Sequence, residues 1–353
     1  NDYTLDQYEA ELEEIRKRKR NYTPWQVAIG AGFACGGFCI QFGCDWVAFL
    51  YASIAAIIGM RVRAKCNESG LNHYMGIAIA AFISTMLAWA STLLPASWTS
   101  TPWHPLLACA LFIVPGVPLI NFVDDMLDNY IQVGIVRAVN TLLMVSAMAF
   151  GIAFAVKICH IDNFFPTISM VPHHNYIEYA IAAAISAMGF SMIFNIPRRL
   201  LWVVAIGGII AVCTRNFVNL GPSTDNIGLD MGLVIGSFAG SVLVSLIAIK
   251  AVHWFHCPNH VLTIPSVIPM IPGVLMYRML FGIINMNVES PEQISVLMKA
   301  MQSGITSGMV ILCISLGVAI PNIFGRKYIA KEKNKRLKEI LAERRARGKF
   351  VEW

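Results

Sequence analysis

Apolar residues in this chain gather into long runs separated by short polar segments, without the sustained alternation that marks a soluble amphipathic element. Ten such runs lie at about 25–44, 46–61, 71–94, 104–127, 133–157, 176–194, 199–216, 229–252, 258–284 and 300–323. A helix needs roughly 20 apolar residues to cross the hydrocarbon of a bilayer. The pattern therefore predicts an all-α polytopic membrane protein of about ten transmembrane helices. The second and seventh runs are short, as for tilted or partly interfacial helices. Residues 1–20 alternate acidic and basic groups and end in Arg16-Lys-Arg-Lys-Arg20, which reads as a surface helix feeding the membrane. The segment from Arg326 onward is Lys/Arg-rich and helix-favouring, fitting a tail that touches anionic headgroups. The expected organisation is a lead-in over 1–24, a first five-helix repeat over 25–158, an outer linker over 159–175, a second repeat over 176–324 and a basic tail over 325–353.

Two of the runs are interrupted. Phe112-Ile-Val-Pro-Gly-Val-Pro-Leu-Ile-Asn121 carries Pro115, Gly116 and Pro118. Ile264-Pro-Ser-Val-Ile-Pro-Met-Ile-Pro-Gly-Val-Leu-Met-Tyr-Arg278 carries Pro265, Pro269, Pro272 and Gly273. Proline removes a backbone donor and clashes with the preceding turn. Inside a membrane the freed groups must find partners in protein or water. Broken spans at matching places in two halves point to the substrate site of a transporter.

The halves match elsewhere too. Gly76-Ile-Ala-Ile-Ala-Ala-Phe82 answers Gly232-Leu-Val-Ile-Gly-Ser-Phe238, and Phe42 answers Phe194, each before a short span. Five spans is an odd number, so a second copy enters from the opposite face. That predicts inverted repeats about a pseudo-twofold axis in the membrane plane, suited to alternating access. With the N-terminus inside, one face receives Arg16 to Arg20, Arg61, Arg63, Lys65, Arg137, Arg198, Arg199, Lys250 and the basic tail. The other receives only Lys157, Arg215 and Lys299. This is the positive-inside asymmetry, with both termini cytoplasmic.

Composition agrees with the pattern: 56% hydrophobic, 14% charged and a mean hydropathy of +0.60. A soluble domain is near a quarter charged. The net charge of +6 comes from loops and termini and is no nucleic-acid signal. Nine cysteines show no paired spacing, and Cys35, Cys39, Cys109 and Cys313 read as small apolar residues. No Walker, Rossmann, Ser-His-Asp or paired-cysteine motif is present, so neither a cofactor nor enzymatic chemistry is expected. No cleavable signal sequence is seen, and the start at Asn1 fits one part of a longer polypeptide.

Four features carry candidate chemistry. Asp124, Asp125 and Asp128 follow the first break; Asp124 and Asp128 share a helix face. Clustered carboxylates at low dielectric do not all ionise, which suits a proton carrier, with Asp125 the first choice; solvation just past the membrane is the plain alternative. Arg278 lies in the second broken span and its repeat equivalent is Asn121, so a zwitterionic substrate would fit between them; an Arg278–aspartate ion pair is the alternative. His253, His256, Cys257 and His260 form an aromatic interfacial loop that matches no closed zinc pattern. Gly30, Gly32, Gly36 and Gly37 are spaced for close helix contact, and His173 and His174 on the outer loop have no assigned role.

From about residue 5 to residue 324 the chain resembles the bacterial threonine/serine exporter family. Leu5-Asp-Gln-Tyr-Glu-Ala-Glu-Leu-Glu-Glu-Ile15 is similar to the family's linker. Val114-Pro-Gly-Val-Pro-Leu-Ile-Asn121 with Asp125, Asp128, Gly134 and Arg137 is similar to its N-terminal membrane motif. Pro265-Ser-Val-Ile-Pro-Met-Ile-Pro-Gly273 with Tyr277 and Arg278 is similar to its C-terminal motif. Asp124 and Tyr130 depart from the pattern, which bears on substrate more than on fold. The resemblance implies secondary export of threonine, serine or a like metabolite across the bacterial inner membrane, driven by protons. The residues themselves set the expected substrate contacts at Arg278, Asn121, Tyr277, Gly116 and Gly273, proton coupling at Asp124, Asp125 and Asp128, and breaks at Pro115, Pro118, Pro269 and Pro272. Some relatives divide the halves between two chains and are associated with dicarboxylates such as succinate, an alternative substrate class. A passive channel is the alternative from another class, and no oligomeric state is implied.

Overall fold

The computed structural model describes residues 5–95, 97–161, 174–222, 227–255, 257–284 and 291–346. Most of the 159–175 linker, both chain ends, His173 and His256 lie outside the described residues, as do the side chains of His253 and Tyr277. The described chain is helical. A lead-in helix α1 (Leu5–Lys17) precedes α2 (Pro24–Gln41), α3 (Trp46–Glu68) and α4 (His73–Trp89). A broken segment of α5 (Pro105–Ala108), a 3-10 turn (Leu111–Ile113) and α6 (Gly116–Leu127) leads into α7 (Ile131–Ile158). The second half runs α8 (Tyr176–Ile193), α9 (Leu201–Asn219) and α10 (Leu233–Phe255). It then breaks into α11 (Asn259–Val267), a 3-10 turn (Ile268–Met270) and α12 (Gly273–Ile284), and closes with the long α13 (Pro291–Ala346).

Among the described residues seven helices are long and apolar enough to cross a membrane, or eight with α11 and α12 taken as one span bent by 61°. That number falls short of the expected ten. Gln26, Gln41 and four glycines dilute α2, and the first broken segment is cut into pieces of 4, 3 and 12 residues. The second run is not short: α3 continues to Glu68, carrying Arg61, Arg63 and Lys65 on its final turns. Arginine and lysine stems extend an apolar helix because their charged tips reach the interface. The basic tail continues α13 without a gap.

The halves pack by one plan. The pairs α2–α3, α3–α4, α4–α7 and α6–α7 have counterparts in α8–α9, α9–α10, α10–α13 and α12–α13, and the cross-half pair α6–α13 has its counterpart in α12–α7. The pair α2–α8 is its own counterpart. Here the correspondence is residue by residue, each with the residue 152 places later. Thr23 and Asn175 cap their helices through capping boxes closed by Gln26 and Glu178. A Cβ on Gly37 would meet Ala182 and Ser186, and one on Gly189 would meet Gly30 and Ala34. Tyr22 donates to the Ile196 carbonyl at 2.8 Å and His174 Nε2 to the Cys44 carbonyl at 2.8 Å. Phe38 meets Phe190 edge to face at 5.8 Å. Reciprocal contacts of this kind are what twofold, isologous packing produces. Gly32 and Gly36 face α3 side chains, so the small residues serve close helix approach, as their spacing predicts. His174, given no role by the sequence, ties the halves together.

Candidate functional site

The two breaks share one backbone solution. In each, a 3-10 turn ends in a tight three-residue turn: Gly116 N–H donates to the Val114 carbonyl at 2.8 Å, and Gly273 N–H to the Ile271 carbonyl at 2.9 Å. Pro115, with φ −78° and ψ 65°, is the centre of an inverse γ-turn, for which proline's fixed φ is suited. The breaks also meet each other. A Cβ on Gly116 would contact Ile268 and Ile271, and one on Gly273 would contact Leu111 and Val114. Glycine is required because each break fills the space beside the other.

The prolines do not act alike. Pro272 precedes α12, as Pro115 precedes α6. Pro118 lies in the first turn of α6, where a missing N–H costs no helical bond; it starts the half-helix and is not a break. Pro269 sits in the 3-10 turn, and Pro265 is inside α11 without ending it.

Between the breaks lies an apolar cavity of about 10 Å³ lined by Phe38, Leu111, Val114, Phe190, Ile268, Ile271 and Gly273. That is room for roughly one water, so the described side chains leave little space where the two breaks meet. The N-termini of α6 and α12 open beside it, and helix N-termini carry partial positive charge.

Beyond the breaks the halves diverge. Asn121 and Arg278 each stand five residues past the glycine of their break, and both are half-buried. The last turn of α6 carries Asp124 and Asp125, with Asp128 as its C-cap. Carboxylates are disfavoured at the negative end of a helix. Arg137, on the second turn of α7, offsets this by an ion pair with Asp125, both side chains being partly exposed. The turn between α6 and α7 places Asn129 at φ 68°, so the chain reverses and brings Arg137 back over Asp125. His260, at the start of α11, lies 4.0 Å from Asp124. One member of the His/Cys loop thus faces the acidic cluster, a contact that local spacing does not reveal because it joins the two halves.

At the end of the bundle where α2 closes, Asp45 caps α3 through Ala48 N–H at 2.7 Å. It also accepts from Thr99 Oγ1 and from Ser100 N–H, both at 2.8 Å. Burial pushes this carboxyl up, but the hydrogen bonds outweigh it and hold it below the usual carboxylate value.

Known proteins place these features in a group. Residues 1–159 match the threonine/serine exporter model ThrE, and residues 179–324 match ThrE_2, described as "Threonine/Serine exporter, ThrE". Among curated proteins, "Probable succinate transporter subunit YjjP" of Klebsiella aerogenes is 27% identical over 151 residues, 43% of this chain and 58% of that protein. Its namesake in Escherichia coli K12 is 29% identical over 137 residues, 39% of this chain and 53% of that protein. The chain thus spans about half the length of the curated relatives it matches. No solved structure matches.

Proposed function

The chain belongs to the threonine/serine exporter family, with both membrane halves in one polypeptide, and from that premise we propose that it exports a small hydroxy amino acid, threonine or serine, in exchange for protons. The observation that carries the reading is the pair of mutually packed breaks with unlike chemistry beyond them. In this account the five-helix halves are inverted repeats, both termini face the cytoplasm of a bacterial inner membrane, and exchanging the conformations of the halves alternates access. The space between the breaks opens when they part. Arg278 takes the substrate carboxylate through its planar fork, aided by the α12 N-terminus at Gly273; Asn121, Tyr277 and the Gly116 turn complete the polar contacts. Asp125 exchanges its bond to Arg137 for a proton, with Asp124 and Asp128 beside it.

The name of the two relatives, a probable succinate transporter subunit, favours a second reading, a dicarboxylate such as succinate. Purified protein in proteoliposomes, given labelled threonine, serine and succinate with and without a pH gradient, separates the two. Gradient-stimulated threonine or serine flux is the expected result. Flux of succinate alone transfers the assignment to the second reading, and flux independent of any gradient turns both aside in favour of a passive channel.

A further inference from the structure

Arg215 has no part in the proposed transport cycle. It lies near the C-terminal end of α9, at the end of the bundle where α2 closes and α8 begins, on the face that carries few basic residues. Its hydrogen bonds among the described residues go to one atom, Asn216 Oδ1, at 3.1 Å from Nε and 3.0 Å from Nη2. Among the described residues it forms no ion pair with a carboxylate. The helix C-terminus favours a cation there, yet Arg215 donates to none of its last carbonyls. Asn216 is 3% exposed and its Nδ2 has no acceptor; Tyr179, in the first turn of α8, is 0% exposed, and its hydroxyl oxygen faces the His174 backbone N–H while its own O–H has no acceptor. α8 and α9 pack side by side, so Tyr179 near the start of α8 and Arg215 near the end of α9 lie at the same end of that pair, and the Tyr179 ring packs edge to face on His174 at 6.0 Å. The neighbouring carboxylate, Glu178, is engaged by His174 at 2.9 Å.

Three donors with unused capacity therefore share one region: a guanidinium, an amide N–H₂ and a phenol. Buried polar groups such as the Asn216 amide are normally satisfied, and a half-buried cation without a counter-ion is only partly compensated by solvent. A group that accepts several hydrogen bonds and carries negative charge answers both. We infer that Arg215, Asn216 and Tyr179 form an oxyanion-binding site, apart from the broken helices, which takes a carboxylate or a phosphate from the aqueous side or headgroup layer at this end of the bundle. The residue 152 places before Arg215 is Arg63, on α3 at the opposite end, but the residues matching Asn216 and Tyr179 are Ala64 and Val27. The site is built at one end alone, and Arg63 supplies a control.

Thermal unfolding in phosphatidylcholine nanodiscs tests this without reference to transport. Acetate is titrated against chloride at equal ionic strength, and in a second arm phosphatidylglycerol replaces part of the lipid. A saturable rise in midpoint is expected with at least one. A rise with acetate identifies a soluble carboxylate as the ligand, and a rise with phosphatidylglycerol alone identifies a headgroup phosphate. Arg215→Gln is expected to weaken the effect at least tenfold, on the order of one charge-assisted hydrogen bond. Tyr179→Phe, which keeps the ring, weakens it about fivefold and serves if Arg215→Gln does not fold. Arg63→Gln and Arg278→Gln retain it; the second keeps this test independent of the transport reading. No saturable rise in either arm, or one that survives in both Arg215→Gln and Tyr179→Phe, overturns the site.

Discussion

The two broken helices have the same backbone and opposite chemistry. Each passes from a 3-10 turn through Pro-Gly into a half-helix of 12 residues, and each glycine is closed in by the other break. Past that point α6 carries Asn121, Asp124, Asp125 and Asp128, where α12 carries Arg278, Phe281 and Gly282 at the three matching places before its end. Packing has kept what the halves need to fit together, and the polar positions beyond it have separated. In the proposed cycle the shared backbone permits two interchangeable arrangements, and the unlike side chains give one end a proton and the other a carboxylate.

The strongest way to break the comparison is to remove the acid. Asp125→Asn is expected to abolish pH-gradient-driven flux in proteoliposomes while leaving the protein folded, because an amide cannot carry the proton; Asp128→Asn should weaken it less. Gradient dependence intact in Asp125→Asn would move the proton carrier elsewhere. On the arginine side the effect is smaller and of a different kind. Arg278→Lys keeps the charge but loses the fork, so substrate affinity by calorimetry should fall about tenfold, roughly 1.4 kcal/mol, with gradient dependence retained.

The shared backbone predicts matched losses. Gly116→Val and Gly273→Val should each lower stability by about 1–3 kcal/mol, the usual range for overpacking. The two losses should agree within about 1 kcal/mol, read from denaturant or thermal unfolding. A large loss in one and none in the other would show that the breaks do not support each other. The smallest effect is at the α2–α3 corner. Asp45→Ala should cost about 1 kcal/mol, as for a lost N-cap. Asp45 is held below its usual value, so its contribution is complete above the unfolded value near roughly pH 3.9 and fades as pH falls through the lower folded value. The alanine variant should lack that part of the acid dependence.

Much of this fold was legible in the sequence because membrane helices are written as apolar runs and breaks as Pro-Gly. The match of Val114-Pro-Gly-Val117 with Ile271-Pro-Gly-Val274 located both breaks, and the glycines of α2 announced close packing. What stayed hidden was set by partners distant in the chain. Arg137 reaches Asp125 only because the turn at Asn129 folds α7 back. His260 meets Asp124, and His174 meets the Cys44 carbonyl, only once the halves are assembled. Pro118 read as a break because proline alone does not say whether a helix ends or begins there. The length of α3 was missed because Arg61, Arg63 and Lys65 look like the end of a span.

Opposed orientation of the two half-helices is the claim on which the rest depends, and sidedness of labelling tests it most directly. In a cysteine-depleted background, Tyr130→Cys, past the end of α6 and 65% exposed, and Ile283→Cys, near the end of α12 and 43% exposed, are treated with a membrane-impermeant maleimide in right-side-out and inverted vesicles. The account predicts that the two positions react from opposite faces, Tyr130→Cys from the same face as the α1 lead-in. Reaction of both from one face would contradict it.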